Sequence, residues 1–367
     1  MTPNGSPTHT ADVIIIGGGL VGLCCAAALA PTGATIILLS HRHPGEASLA
    51  AAGMLAPSVE HAEGQAQRFA VAARDQYPTF LAGIEEATGI RVPLNQEGIL
   101  ELALNEGDAS RLRGALAPGS SWLSAAELQA LEPTLAPFTG AVLHERDGSV
   151  DNPLLLDALR LMLDGNNRFR VASIGATALS LAAGATPRVI SATSEAYEGK
   201  HIVLAAGAWV TELAGLPRRL PVEPVRGQMV ALRGPGPTRV SYGPTGYLVP
   251  RGRSLTLSGS TMERVGFRHG TTDEGVAELR ASAGRMCPSL GGASVHAQWS
   301  GFRPMTPDGL PIIDREPGRP ELIYACGHSR NGILLAPLTG ACVAALVTES
   351  PPPENLTPFA ATRFRDQ

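Results

Sequence analysis

Gly17, Gly19 and Gly22 follow the apolar run Val13 to Ile16 and precede an alanine-rich stretch, Leu23 to Ala30. The spacing G-x-G-x-x-G between a strand and a helix suits a pyrophosphate. The first glycine permits a tight turn and the second lets the backbone approach the anion. The third lets the helix pack closely on the strand, with its first N–H groups aimed at the negative charge. The spacing alone is a weak signal. The strand before it and the helix after it make the segment, with Leu20 and Val21 inside it, a dinucleotide site.

Three arginines stand in apolar or glycine-rich settings: Arg251 after Tyr247-Leu248-Val249-Pro250, Arg303 in Trp299-Ser300-Gly301-Phe302-Arg303-Pro304, and Arg330 in Gly327-His328-Ser329-Arg330-Asn331-Gly332. A guanidinium is a rigid fork that fits a carboxylate with two parallel bonds, so one placed among apolar residues wants an anion. An internal salt bridge, for instance from Arg303 to Asp308 or Asp314, explains such arginines equally well. Tyr247 and Met262 are expected on adjacent strands facing one cavity, although either type is more often a core residue. His328 reads as structural, having no evident partner, and neither a G-x-S-x-G elbow nor H-E-x-x-H is present.

The elements that must position these groups are read from periodicity. Ala34 to Ser40 reads as a second buried strand and Ser48 to Pro57 as a small-residue segment able to lie against a flat ligand. An acid about 20 residues past the glycines binds a ribose hydroxyl in this kind of fold; here the strand ends Leu38-Leu39-Ser40, so the contact falls to Ser40 or passes to His41 and Arg42. Arg68 to Thr88 reads as a helix, Glu97 to Leu104 as a strand, and Glu106 to Leu116 and Asn152 to Asp164 as helices. Strands are expected at Arg168 to Ala172, Arg188 to Thr193 and His201 to Ala205, the last leading into Ala206, Gly207 and Trp209, where small residues again let backbone approach a ligand. Gln228 to Ser260 reads as short antiparallel strands forming a pocket floor. Ile323 to Thr348 reads as strand, glycine-rich turn and a helix opened by Pro337.

A chain of 367 residues with net charge −4 suggests two domains and gives no basis for a nucleic-acid or membrane partner. Cys24, Cys25, Cys287, Cys326 and Cys342 have no metal-ligand spacing and read as buried, reduced thiols of a cytoplasmic protein, with no metal. Met1 to Thr10 reads as a disordered lead-in. The uncharged stretch Val13 to Ala30 fits strand, turn and helix better than a membrane span. Lys200, the only lysine, is expected just before a strand and away from the site.

Four segments, in order along nearly the whole chain, resemble the glycine oxidases of thiamine biosynthesis, within the D-amino-acid oxidase superfamily of FAD enzymes. They are the Gly17-to-Gly22 loop; Ala50-Ala51-Ala52-Gly53-Met54-Leu55; Tyr247 to Arg251 with Gly259-Ser260-Thr261-Met262; and Gly327 to Pro337. The resemblance implies an α/β chain, α+β overall. A Rossmann-like FAD-binding domain would comprise residues 1–80, 141–220 and 305–367, and a substrate domain with an antiparallel sheet and helices residues 81–140 and 221–304. It implies that Arg303 holds a substrate carboxylate assisted by Tyr247, that Met262 limits room beside the α-carbon, and that Arg330 lies near flavin and pocket. Ser48, Ala52, Gly53 and Met54 would lie along the flavin, Ala176 would meet the adenine, and Asn331, Gly332, Ile333 and Leu334 would approach the pyrimidine edge. Two positions depart from the family: no acid at Leu39-Ser40, and Thr245 where a histidine can stand.

The activity implied is FAD-dependent oxidation of glycine or a similarly small amino acid to the imino acid, with oxygen reduced to hydrogen peroxide and self-association left open. Clamping the carboxylate fixes the α-carbon about 3 to 3.5 Å from a hydride acceptor, and the flavin carries the hard chemistry, so no side-chain acid or base is obligatory. Charge arising on the cofactor would be stabilised by donors or by a helix N-terminus after Ala336. Alternatives are the same flavin fold acting on sarcosine, a D-amino acid or a 2-hydroxy acid, or passing electrons to another acceptor. A non-catalytic flavin-binding subunit would have no need of Arg303 and Tyr247, and an NAD dehydrogenase would expect the missing acid.

Overall fold

Val13 to Ile16 and Ile36 to Leu39 are buried at every position, as strands covered on both faces must be. The computed structural model, which describes residues 7–60, 62–182, 184–252 and 254–364, places them side by side in a parallel sheet. Its order is Phe169–Ala172, Ile36–Leu39, Thr8–Ile16, Ala196–Leu204 and Arg319–Cys326. Ile312–Glu316 closes one edge antiparallel, and Ala176–Ser180 with Arg188–Ser191 forms an antiparallel extension on the first half of Ala196–Leu204.

The helices Leu20–Leu29 and Gly332–Val347 are apolar all round and buried, which suits helices enclosed by sheet and other helices. They approach closely: a Cβ on Gly340 would lie 2.5 Å from the Cys24 carbonyl oxygen. Among the described residues no helix is long and apolar enough to cross a membrane, and all five cysteines are buried and unpaired.

A second sheet supplies the pocket floor in the order Ser294–Met305, Glu223–Arg233, Leu255–Gly259, Gly246–Arg251, Val240–Gly243, Ile99–Ala103, Gly140–His144 and Ser120–Ser124. Every pairing is antiparallel except that between Val240–Gly243 and Ile99–Ala103. Met54–Leu55, Gly148–Val150 and Leu94–Asn95 form a small third sheet.

Several expectations need correction. The expected lead-in Met1 to Thr10 is already strand from Thr8, because backbone pairing with Ala196 satisfies the chain whatever its side chains; residues 1–6 lie outside the described residues. Arg68 to Thr88 is two helices, Gly64–Asp75 and Tyr77–Thr88, since Pro78 lacks an amide proton and starts a new first turn. Pro337 does not open its helix but sits inside it, the first turn being at Gly332. A proline there leaves the Ile333 carbonyl without its intrahelical donor, and the Tyr77 hydroxyl donates to that carbonyl instead. The expected domain boundaries at 80/81 and 140/141 cut structure: Leu81 and Ile84 belong to the core beneath the parallel sheet, their helix packing on Asn152–Asp164, and Gly140–His144 pairs inside the second sheet. Lys200 lies within Ala196–Leu204 and pairs with Asp12 at 2.8 Å.

Candidate functional site

The carboxyl ends of the parallel strands open on one cavity of ≈ 480 Å³. Gly17 to Val21 follow the first strand, His41 the second, Ala205 to Trp209 the fourth and Gly327 to Ile333 the fifth, and all line it. Ligands of open α/β sheets bind at this end. Gly17 has φ +114°, and a Cβ on it would lie 2.2 Å from the Ala205 carbonyl oxygen. A Cβ on Gly22 would lie 1.9 Å from the Gly17 carbonyl oxygen, so helix and turn touch there and Gly22 stays out of the cavity wall. Gly19 has only Ser48 Oγ nearby, at 3.1 Å from such a Cβ, and faces open cavity. The Ser48 hydroxyl accepts from the Leu20 amide at 2.9 Å, and the amides of Val21 and Gly22 have no acceptor among the described residues. These unpaired donors at a helix N-terminus favour an anion.

The second sheet brings the reacting end together through its register. Trp299, Met229, Gly259 and Tyr247 lie opposite one another on successive strands, and Arg303, opposite Val225, is two rungs from Gly227 opposite Gly301. Side chains two rungs apart share a face, so Tyr247 and Arg303 point the same way. Arg303 then folds back over Gly227: a Cβ there would lie 2.2 Å from Nη1, 2.5 Å from Nη2 and 2.6 Å from Cζ. Nη1 donates to the Thr261 carbonyl at 3.2 Å and Nη2 to Ser260 Oγ at 2.5 Å. Neither Asp308 nor Asp314 holds it, for Asp308 is taken by Arg363 and Asp314 by the amides of Ala361 and Arg315. Burial lowers the Arg303 pKa, Tyr247 works against that shift, and Arg330 adds to it. The Tyr247 hydroxyl lies 3.3 Å from Met229 Sδ.

The other two arginines are held by other partners. Arg251 Nη2 donates to the carbonyls of Ala52 at 2.6 Å and Val150 at 3.1 Å and to Asn152 Oδ1 at 3.2 Å, which fixes the turn at Gly53. Arg330 lines the cavity and pairs with Glu60 at 3.2 Å while donating to the Tyr242 hydroxyl at 3.3 Å. Burial lowers its pKa, but Glu60 and Tyr242 outweigh that and the net shift is upward. His328 is buried, shares a bond of 3.0 Å with Thr339 Oγ1, and is pulled down to about 3 by burial, so it stays neutral.

Of the residues singled out in the sequence, the cavity wall includes Arg303, Tyr247, Arg330, Gly17, Gly19, Leu20, Val21, His41, Ser48, Ala52, Gly53, Met54, Ala176, Ala206, Gly207, Trp209, Asn331, Gly332 and Ile333. Others lie elsewhere. Met262 is not on a strand facing Tyr247: the strand ends at Gly259, the chain turns away, and Met262 is 56% exposed. Leu334 points into the core, one helical step past Ile333. Ser40 is turned onto the glycine loop, its Oγ 2.0 Å from a Cβ placed on Gly18, and Arg42 is exposed outside the cavity. Sequence reasoning missed His43, Glu46, Glu60, Gly227, Met229, Ser260 and Phe302, all in the wall. Met229 and Ser260 fall in the stretch expected to form the pocket floor and Phe302 in the run around Arg303, but no pattern marked any of them individually; a glycine beside strand residues was the signal at Gly227.

The family model for FAD dependent oxidoreductases matches residues 12–346. The chain is 35% identical to the bifunctional protein ThiO/ThiG of Synechocystis sp. over 97% of its own length, and spans about half of that relative, 54%. It is 34% identical to the glycine oxidase of Geobacillus kaustophilus, over 97% of this chain and 98% of that one. The crystal structure of glycine oxidase from Geobacillus kaustophilus superposes with a TM-score of 0.89 at 31% identity, covering 97% of this chain and 99% of that chain.

Proposed function

This chain belongs to the FAD-dependent oxidoreductase family, and we propose that it oxidises glycine or a similarly small amino acid to the imino acid, with oxygen reduced to hydrogen peroxide. The observation that carries the reading is the Arg303 fork, facing the cavity with only neutral hydrogen-bond partners in Ser260, Thr261 and Tyr247. A buried cation without a counter-ion is matched by a ligand carboxylate. Hydrolysis of the imine would give glyoxylate and ammonia, and the imine is the species the family resemblance links to thiamine synthesis. Five buried, unpaired cysteines favour a cytoplasmic setting.

The residues present fit FAD. Open space at Gly19, the free amides of Val21 and Gly22 and the small residues Ala50 to Gly53 leave room and donors for a pyrophosphate and a flat ring. Gly17, Leu20, Ser48, Met54, Ala176, Ala206, Gly207, Trp209, Asn331, Gly332 and Ile333 complete the holding set. FAD supplies the hydride acceptor that no side chain here provides. Arg303 takes the substrate carboxylate with two bonds, and the Tyr247 hydroxyl, on the same face, is placed to donate to it. Met229, backed by Trp299, floors the pocket with apolar surface that keeps water from the α-carbon. The N-terminus of Gly332–Val347, rather than one after Ala336, presents amides to the cavity where negative charge grows. We divide the chain accordingly into a parallel-sheet unit for the cofactor and a second-sheet unit for the substrate.

The test is spectroscopic. The purified protein should be yellow and should bleach when glycine is added without oxygen, then regain colour with one peroxide per turnover on aeration. A protein that stays oxidised with glycine, sarcosine, D-alanine and 2-hydroxy acids alike would defeat the proposal. Bleaching without peroxide on aeration would replace oxygen by another acceptor.

A further inference from the structure

The dinucleotide fold places an acid about 20 residues past its glycines to bind ribose hydroxyls. Here that place is Leu39, 1% exposed and without any acceptor atom in its side chain. Ser40 is committed to the glycine loop, and Arg42 lies outside the cavity. Beyond Leu39 the same loop presents His41, His43 and Glu46 to the cavity, opposite Trp209.

Glu46 is fixed in place. Its Oε1 accepts the backbone amide of His43 at 3.0 Å, and its own backbone bridges to Phe302. Among the described residues it has no ion-pair partner, and its second oxygen has no donor. The wall beside it is rigid, because His43 stacks on Trp209 at 4.4 Å and 16°, and Trp209 stacks on Phe267 at 5.2 Å and 22°. Burial, and then His41, lower the His43 pKa against the opposing pull of Glu46 and Glu212, which disfavours a charged imidazole beside Glu46. A carboxylate held like this repels phosphate and suits neutral hydroxyl donors.

We propose that Glu46 binds the ribose hydroxyls of the adenosine half of FAD, in place of the absent strand-end acid, with His43 and Trp209 forming the wall that holds the sugar. The inference rests on FAD being the cofactor. Its test uses the holoenzyme and reads displaced FAD by its fluorescence, with ADP and 2′-deoxy-ADP as competitors that share adenine and pyrophosphate. ADP should displace FAD at about tenfold lower concentration than 2′-deoxy-ADP, the worth of a hydrogen bond to a charged group. Glu46→Ala should bring the ratio close to one, and Glu46→Gln to an intermediate value. Equal potency of the two nucleotides on the unaltered enzyme overturns the proposal without any variant, and so does an unchanged ratio in either variant. Failure of the cofactor reading looks different: no flavin co-purifies and neither nucleotide has anything to displace.

Discussion

Gly227→Ala places a methyl group under the Arg303 guanidinium. The added carbon would start 2.2 Å from Nη1, while ordinary contact begins at 3.4 Å, so the fork must retreat by about 1.2 Å. The obstacle is the end of a flexible side chain rather than backbone, so the sheet can keep its register and the displacement falls on Arg303. Its bonds to Ser260 Oγ, at 2.5 Å, and to the Thr261 carbonyl, at 3.2 Å, cannot both survive such a shift. If Arg303 aligns a substrate carboxylate, a misplacement of about 1 Å costs on the order of 100-fold in kcat/KM. Peroxide-coupled steady-state kinetics with glycine measures this. Flavin absorbance and the melting temperature, both expected to stay near the unaltered protein, separate a moved clamp from a damaged fold. A Gly227→Ala enzyme with unchanged kcat/KM would refute the claim that the fork, in this position, orients the substrate.

Four further outcomes are expected. Arg303→Ala should raise KM for glycine about 100-fold, in line with loss of a bidentate charged contact, while flavin stays bound; an unaltered KM in the same peroxide assay contradicts the clamp. Gly19→Val should purify colourless, since its side chain would occupy pyrophosphate space, and full flavin occupancy would move the cofactor elsewhere. Tyr77→Phe strips the Ile333 carbonyl of its donor and should cost about 1 to 3 kcal/mol in urea unfolding; no change would mean the carbonyl finds water. His328 has a folded pKa of about 3 against about 6.5 unfolded, so its contribution is intact above 6.5 and is lost as pH falls from there towards 3. About 2 kcal/mol should be gone at pH 5, and His328→Gln should remove that part of the fall in unfolding free energy between pH 7 and 5.

What was legible in the sequence was local. The glycine loop, the buried strand before it and the helix Asn152–Asp164 are written in contiguous spacing, and the structure has each where the pattern puts it. The strand Ser294–Met305, which carries Arg303, was not anticipated: its first half, Ser294 to Gln298, is exposed, and its identity comes from pairing with Glu223–Arg233 some 70 positions away. Gly227 becomes meaningful only through that pairing, and Ser260 through the pairing of Leu255–Gly259 with the same Glu223–Arg233 strand. Tyr77 and Ile333, 256 residues apart, are joined by a bond that answers a proline, so Pro337 looked like a helix start when its missing donor had been replaced from another helix. Glu46 and Glu60 were passed over because a single carboxylate in a polar loop has no pattern; only the cavity distinguishes them.

The three arginines show why sequence setting cannot by itself separate structure from function. All three sit beside prolines, glycines and apolar residues, yet each meets a different electrostatic answer. Arg251 places its Nη2 on two carbonyls and an amide oxygen, outside the cavity wall, and acts as a staple. Arg330 has a full counter-charge in Glu60. Arg303 alone of the three lines the cavity without a carboxylate within ion-pair distance among the described residues, although burial disfavours its charge. A guanidinium remains protonated in such a place, so the protein carries an unneutralised cation into a cavity at a cost in stability. That cost falls when an anion arrives, which means the fold has left the neutralising charge for the ligand to bring. Glu60 and Arg330 on the same wall neutralise each other, so neither offers a second free charge to a ligand. One uncompensated fork beside one self-neutralised ion pair leaves the cavity a single anion site, which is what the proposed carboxylate clamp requires.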